Sequence, residues 1–195
     1  MDFWKDYYIN SEISNYQNYT EKKYGYLCEE LIKILWIEKD DNIVDRGCAT
    51  WNLIREFANR GYTNIKGSDI SERAIQYWID NWLQDFLQSY NPEILSEDNQ
   101  HVIMNDVLEH MLEDDIREML NGTNWLITLR LPVCAKEWED YVLECSRVDK
   151  THIQRHTKDR WIELFNECGY TVETINWKHI YDSKWVLAVT LTKWE

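Results

Sequence analysis

The sequence predicts an α/β protein with a doubly wound, mostly parallel sheet and helices on both faces. Short apolar runs alternate with segments whose apolar residues recur at helical spacing, the pattern of successive βαβ units. The last two apolar segments follow each other without a helix between them, which predicts an antiparallel pair at the sheet edge. The 195 residues are expected to form one domain. Residues 1–40 are expected to be a helical segment that packs on it.

The first half of the chain is predicted to hold three strands, each followed by a helix. Residues 20–36 carry apolar side chains at helical spacing, with Thr20 as the expected N-cap. A short strand then ends at Asp45, and the helix after it stops at Gly61. The next two strand and helix pairs are predicted at residues 64–70 and 72–87, and at residues 101–107 and 113–120.

The second half completes the sheet. A strand is predicted at residues 124–133, and a helix at residues 158–170 is ended by Gly169. The antiparallel pair is predicted at residues 171–177 and 184–194. One further strand is expected but poorly marked, within residues 89–100.

Composition narrows the classes of function. The net charge of −14 would repel a phosphate backbone, so nucleic acid is not an expected partner. No run of about 18 apolar residues and no signal peptide is present, which predicts neither a membrane span nor secretion. The five cysteines form no C-x-x-C pair, so no metal site is signalled and a reducing, cytoplasmic location is expected.

Two strand ends carry the residues of a nucleotide-type ligand site. Asp45 and Gly47 end the first strand, and Asp69 ends the second, 22 residues after Gly47. Open α/β sheets bind ligands at this edge, where a glycine lets the backbone approach and a later carboxylate grips a ribose. A lone Asp at a strand end also caps a loop about as often, so the joint pattern carries the interpretation.

These strings resemble the class I S-adenosylmethionine-dependent methyltransferases. Their first motif has an acidic residue, a variable residue and a glycine-rich turn, their second strand often ends G-x-D-I-S, and NDVLEH at residues 105–110 is typical of their fourth strand. The resemblance covers roughly residues 25–195 and implies a Rossmann-like sheet of seven strands. It also implies S-adenosylmethionine as cofactor and a small-molecule acceptor.

The resemblance implies a cofactor site residue by residue. Asp45 and the backbone of Gly47, Cys48 and Ala49 would hold the methionine part. Asp69 would accept hydrogen bonds from the ribose hydroxyls, with Ile70 beside it in the same motif, and Asp106 would lie next to the cofactor. A nicotinamide-binding protein is the nearest competitor, but its G-x-G-x-x-G loop would keep only the first glycine here.

The loop departs from the family pattern D-x-G-C-G-T-G at two glycines. Ala49 is a mild change, whereas Trp51 adds bulk where a left-handed backbone costs other residues roughly 1–2 kcal/mol. The chain has 6 glycines and 11 tryptophans, against about 14 glycines at average usage. Trp51, Trp138 and Trp185 are therefore predicted to occupy glycine positions, either by mutation or because a UGA codon, glycine in some organisms, was translated as tryptophan.

His110 and His152 are the candidate bases for methyl transfer to a hydroxyl. A structural role is an alternative for each, and Glu109 either orients them or favours a helix start. The D/N-P-P-Y string used on nucleobase nitrogens is missing. The sequence therefore predicts a methyltransferase for a small metabolite, and the alternative is a binding protein of the same fold that does not catalyse.

Overall fold

The computed structural model describes residues 21–49, 51–70, 87–89, 101–122, 126–180 and 182–193. The strands are β1 (Ile43–Arg46), β2 (Ile65–Asp69), β3 (Leu87–Ser89), β4 (His101–Asn105), β5 (Leu126–Pro132), β6 (Tyr170–Thr174) and β7 (Val186–Lys193). The helices are α1 (Glu21–Ile34), α2 (Asn52–Asn59), α3 (Glu113–Asn121), α4 (Glu144–Val148) and α5 (Lys158–Glu167). A 3₁₀ turn at Leu108–His110 follows β4. None of the described helices is long and apolar enough to cross a bilayer.

The strands form one seven-stranded sheet in the order β3-β2-β1-β4-β5-β7-β6. The pairs β1–β2, β1–β4, β2–β3 and β4–β5 are parallel. β7 lies antiparallel between β5 and β6. The sequence prediction of a mostly parallel sheet with an antiparallel edge pair is confirmed, as is the number of strands.

Apolar side chains divide between the two faces of the sheet. Successive residues of a strand point to opposite faces, and β4 shows this directly. Ile103 packs in one buried cluster with residues of α1 and α2, whereas Val102 and Met104 pack in a second cluster with residues of α3 and α5. Helices therefore cover both faces, as the doubly wound prediction requires.

Several sequence expectations differ from the structure or lie outside the described residues. Leu87 was expected to end a helix, but it begins β3, because a three-residue edge strand has no alternation to mark it. The short helix α4 was not predicted. Thr20, residues 1–19 and the predicted helix at residues 72–86 fall outside the described part of the chain, and the single-domain expectation stays a prediction.

Candidate functional site

The candidate site lies where β1, β2 and β4 end. Because these strands are parallel neighbours, their carboxyl ends meet at one edge of the sheet. The chain order reverses between β1 and β4, which makes this the switch point at which open α/β sheets bind ligands. Asp45 of β1 and Asp69 of β2 both lie there and are buried, at 4% and 7% exposed.

Backbone hydrogen bonds fasten the loop after β1 to the end of β2. The amides of Gly47 and Cys48 both donate to the Ser68 carbonyl oxygen, at 2.7 and 3.1 Å. The amide of Ala49 donates to Asp69 Oδ2 at 2.9 Å. The structure thus brings together the loop residues and the carboxylate that the sequence singled out as cofactor-binding.

The loop has left-handed backbone at alternate residues. Gly47, Ala49 and Trp51 have φ values of 74°, 44° and 62°. A Cβ on Gly47 would also lie 2.5 Å from Val107 Cγ2, so glycine is required there for space as well. The three residues stand at the three glycine positions of the family motif. Ala49 therefore bears the same kind of backbone strain as Trp51, although alanine was expected to be only a mild change at this position.

The Trp51 side chain packs into the core. It is 1% exposed and belongs to the cluster that α1 and α2 form with the sheet. Trp51 precedes α2 as its N-cap without a side-chain hydrogen bond, and its carbonyl accepts from the Arg55 amide at 2.9 Å. Burial of the indole therefore offsets the cost of the backbone conformation.

Two further tryptophans have left-handed backbone. Trp138 has φ 63°, as expected of a glycine position, and Trp36 has φ 53°, although the sequence analysis did not single it out. Both are exposed, at 64% and 86%. Trp185 was also predicted to occupy a glycine position. It is not among the positive-φ residues of the described chain, so its backbone adds no support and the assignment stays a prediction.

The two carboxyl groups of the site are buried close enough to affect each other's ionisation. Burial, together with the neighbouring Asp69, raises the pKa of Asp45 to about 7. Burial also raises the pKa of the Cys48 thiol well above its usual value, and Asp45 and Asp69 add to that shift. A cationic group placed here would favour the ionised carboxylates.

Asp106 and Ile70 have different surroundings from each other. Asp106 has left-handed backbone at φ 55°, its amide donates to the Arg130 carbonyl at 2.7 Å, and its carboxylate forms an ion pair with the Arg130 guanidinium. Ile70 follows Asp69 directly and is 70% exposed at the edge of the sheet. Both lie at the carboxyl ends of their strands, and their roles toward a cofactor stay predictions.

The two candidate bases lie together after β4. The rings of His110 and His152 have centroids 4.7 Å apart at 64°. Glu109, next to His110, is fully buried, and its carbonyl accepts from the amides of Ile153 and Gln154 at 2.8 and 3.0 Å. These bonds hold the segment that carries His152 against the 3₁₀ turn.

A hydrogen-bond chain fixes the tautomer of His110. The Thr151 hydroxyl donates its one proton to Asp149 Oδ1 at 2.6 Å. It also lies 2.7 Å from His110 Nδ1, and it must accept there. Burial lowers the pKa of His110, which favours the neutral ring. The proton of neutral His110 is therefore on Nδ1, and Nε2 presents a lone pair.

Burial sets the charge of the remaining groups in this pocket. It lowers the pKa of His152 to about 4, and neighbouring His110 adds to the shift. Burial and the nearby Asp106 raise the pKa of Glu109 well above its usual value. Sequence reasoning missed Asp149, Thr151 and Tyr141, whose ring lies 5.0 Å from that of His152. The string D-K-T at residues 149–151 is a local turn signal, which gave no indication of the contact with His110.

Comparison with known proteins gives consistent results. A family model described as a methyltransferase domain matches residues 19–175. No curated protein matches the chain. Among solved structures, magnesium protoporphyrin IX methyltransferase from Synechocystis PCC 6803 with bound SAH is 15% identical, with a TM-score of 0.61, and the match covers 98% of this chain and 93% of that one.

Two further structures share the fold. A S-adenosylmethionine-dependent methyltransferase from Clostridium acetobutylicum is 9% identical with a TM-score of 0.64, covering 91% of this chain and 93% of that one. The mitomycin 7-O-methyltransferase MmcR is 10% identical with a TM-score of 0.62, covering 99% of this chain and 61% of that one. At these identities the likeness shows the fold alone.

Proposed function

Because the chain belongs to the methyltransferase-domain family, as a class I S-adenosylmethionine-dependent methyltransferase, we propose that it binds S-adenosylmethionine at the loop after β1 and methylates a small-molecule acceptor. When bound, the cofactor supplies an electrophilic methyl carbon on a positively charged sulfur. The observation that carries the proposal is the left-handed backbone at residues 47, 49 and 51, the three glycine positions of the family's loop.

The residues at the site fit such a cofactor. Gly47 combines a positive φ with a close approach of Val107, whose side chain occupies the space that a Cβ would need, so only glycine fits in this loop position. Asp45 and Asp69 provide negative charge for the cationic part of the cofactor. Asp69 ends β2, where ribose-binding α/β proteins carry their acidic residue.

The pocket of His110 and His152 is proposed to receive the acceptor. It follows β4, beside β1 at the same edge of the sheet. Lowered pKa values keep both rings neutral, so either can take the proton that an acceptor hydroxyl loses as its oxygen bonds the methyl carbon. Holding the acceptor in line with the methyl group would contribute further to the rate.

The acceptor is proposed to be a small metabolite, and the location to be the cytoplasm. The net charge of −14 disfavours nucleic acid. Two structural neighbours are named for small-molecule substrates, magnesium protoporphyrin IX and mitomycin. All five cysteines are free thiols, which fits a reducing compartment.

Calorimetry with S-adenosylhomocysteine tests cofactor binding. We expect Asp69→Ala to weaken binding about 10- to 100-fold, because hydrogen bonds to a charged group contribute about 1.5–3 kcal/mol. Asp69→Asn keeps an oxygen that can accept from the Ala49 amide. It therefore distinguishes the contribution of Asp69 to the loop conformation from its contribution to ribose binding. Asp114→Ala, at an exposed position of α3, should leave binding unchanged. Unchanged affinity in Asp69→Ala would remove Asp69 from the site.

Turnover tests the acceptor pocket once an acceptor is found by a metabolite screen. We expect His110→Ala and His152→Ala to lower turnover about 100-fold or more, with a much smaller effect on cofactor affinity. Full turnover in both variants would show that catalysis depends on positioning alone.

The second candidate function is a binding protein of this fold that does not catalyse. The left-handed Ala49 and Trp51 favour it, since both replace glycines in the loop that approaches the cofactor. Binding of S-adenosylhomocysteine without turnover on any acceptor would support this alternative, whereas turnover would exclude it.

A further inference from the structure

Three potential metal ligands converge after β4. Glu109 and His110 come from the 3₁₀ turn, and His152 comes from the segment before α5. One ligand atom from each lies within 4.8 Å of the others. Two imidazoles and one carboxylate are a ligand set that suits Zn²⁺ and other divalent first-row transition metals.

Glu109 is the observation that a purely structural pocket does not explain. It is 0% exposed, and neither carboxylate oxygen has a hydrogen-bond partner among the described residues. The nearest histidine nitrogen, His152 Nε2, is 3.9 Å from Oε1, too far for a hydrogen bond. A buried carboxyl group without a partner costs folding free energy, and a bound cation would supply the missing partner.

The hydrogen bonds of His110 decide which of its two ring nitrogens carries the lone pair. His110 holds its proton on Nδ1 for Thr151, which leaves Nε2 as the ligand atom. Asp149 accepts from Thr151, so a carboxylate orients this histidine through one hydroxyl. Metal-binding histidines commonly have such a carboxylate behind the ring. Asp149 Oδ2 also lies 3.7 Å from His152 Nε2, which places a second negative charge at the cluster.

We propose that Glu109, His110 and His152 bind one divalent transition-metal ion. Bonds of about 2.0–2.1 Å in a tetrahedral site need ligand atoms about 3.3 Å apart, so the side chains must close in from separations of up to 4.8 Å when the metal binds. Three protein ligands leave a fourth position open, as in catalytic zinc sites. No metal was expected from the sequence, because the cysteines form no C-x-x-C pair and His152 lies 42 residues after His110.

Metal binding goes beyond the proposed methyl transfer and can be measured without cofactor. The same imidazole lone pairs cannot both ligate a metal and accept a proton. With the metal bound, the ion itself would assist the acceptor by lowering the pKa of a hydroxyl that occupies the open position. Failure of cofactor binding would leave this proposal intact, and failure of metal binding would leave the histidines as bases.

Zinc titration of chelator-treated protein tests the site. We expect calorimetry and elemental analysis to show one Zn²⁺ per chain, and Co²⁺ to give the visible spectrum of a four- or five-coordinate ion. Glu109→Gln and His152→Ala should each weaken binding about 100-fold or more. Glu109→Gln keeps the shape of the side chain and removes its charge, so a thermal melt in chelator should show a folded protein.

Matched controls separate this site from surface binding. Glu163→Gln, at an exposed carboxylate of α5, and His179→Ala, whose ring stacks on Tyr26, should bind Zn²⁺ as the parent does. Thr151→Val should weaken binding about 10- to 100-fold, the usual effect of losing a group behind a ligand. Absence of Zn²⁺ uptake by the parent, or unchanged uptake by both Glu109→Gln and His152→Ala, would overturn the proposal.

Discussion

The loop after β1 and the pocket after β4 lie at the same edge of the sheet, but the first consists of backbone groups and the second of side chains. The loop is made of backbone, with amides bonded to Ser68 and Asp69 and left-handed φ values at alternate residues. The pocket is made of buried side chains whose protonation depends on burial. The loop restricts its residues through dihedral angles and, at Gly47, through space, whereas the pocket depends on the chemical identity of each side chain.

The largest test of this comparison is at Trp51. Trp51→Ala should lower the free energy of unfolding by about 3–5 kcal/mol, because it empties a buried indole site. Trp51→Gly empties the same site but accepts the left-handed backbone, so it should be about 1–2 kcal/mol more stable than Trp51→Ala. Urea denaturation measures both.

A core tryptophan within a helix provides the control. Trp161 is 0% exposed in α5, and there glycine should be about 1 kcal/mol less stable than alanine. If the glycine variant were less stable than the alanine variant at Trp51 as well, the backbone of Trp51 would carry no strain. Trp51→Gly should also bind S-adenosylhomocysteine more tightly than the parent, through restored backbone freedom. Unchanged affinity would show that the indole is accommodated in the loop.

A pH series sharpens the comparison on the electrostatic side. The folded-state pKa of Asp45 is raised from 3.8 to about 7. Between about pH 4 and pH 7 the folded chain thus keeps a proton that the unfolded chain has released, and stability falls as the pH rises. Over this pH range the free energy of unfolding of Asp45→Asn should fall by about 2–4 kcal/mol less than that of the parent. Urea denaturation of both proteins at pH 4.5 and pH 7 measures this difference. The same change in the free energy of unfolding for the parent and for Asp45→Asn would contradict the prediction.

The smallest expected effect isolates backbone strain from packing. Trp36 is left-handed like Trp51, but its side chain is 86% exposed. Trp36→Gly should therefore raise the free energy of unfolding by about 1 kcal/mol, with little packing to lose. Trp36→Ala, which keeps the strain, should not. Equal stability of the two variants would show that this turn adapts to a Cβ.

The gene sequence tests why tryptophan stands at these positions. If recoding is the cause, Trp36, Trp51 and Trp138 should be encoded by UGA, and the core residue Trp161 by UGG. UGG at the three left-handed positions would exclude it. Trp185, predicted from the sequence to be a glycine position, should be UGA as well, although its φ is not positive.

Local patterns predicted most of the sheet and the cofactor loop. The strand ends near Asp45 and Asp69 follow from apolar runs and a motif of fixed spacing. β2 ends at Asp69 as predicted, and β1 extends one residue past Asp45, to Arg46. Leu87 was assigned to a helix but begins β3, because three residues carry no alternation. Residues 90–100, where most of the poorly marked strand was expected, lie outside the described part of the chain. Trp36 could have been found from the end of α1, since left-handed residues commonly follow helices.

The acceptor-side pocket depends on contacts that no local pattern encodes. His110 and His152 were both singled out, but their contact depends on backbone bonds from Ile153 and Gln154 to Glu109. The hydroxyl of Thr151 acquires its role from the same approach. Such long-range pairing is decided by tertiary packing, so sequence spacing alone could not show that Glu109 lacks a partner.

The Cys48 thiol has a consequence for the chemical durability of the protein. Only the thiolate is an effective nucleophile, and burial beside two carboxylates keeps this sulfur protonated. Peroxides and alkylating agents should therefore spare the cofactor loop, although a cysteine lies in its centre. Cys145 is exposed and would react first. Iodoacetamide labelling followed by peptide mapping should find the label on Cys145 while Cys48 stays unmodified until the fold opens.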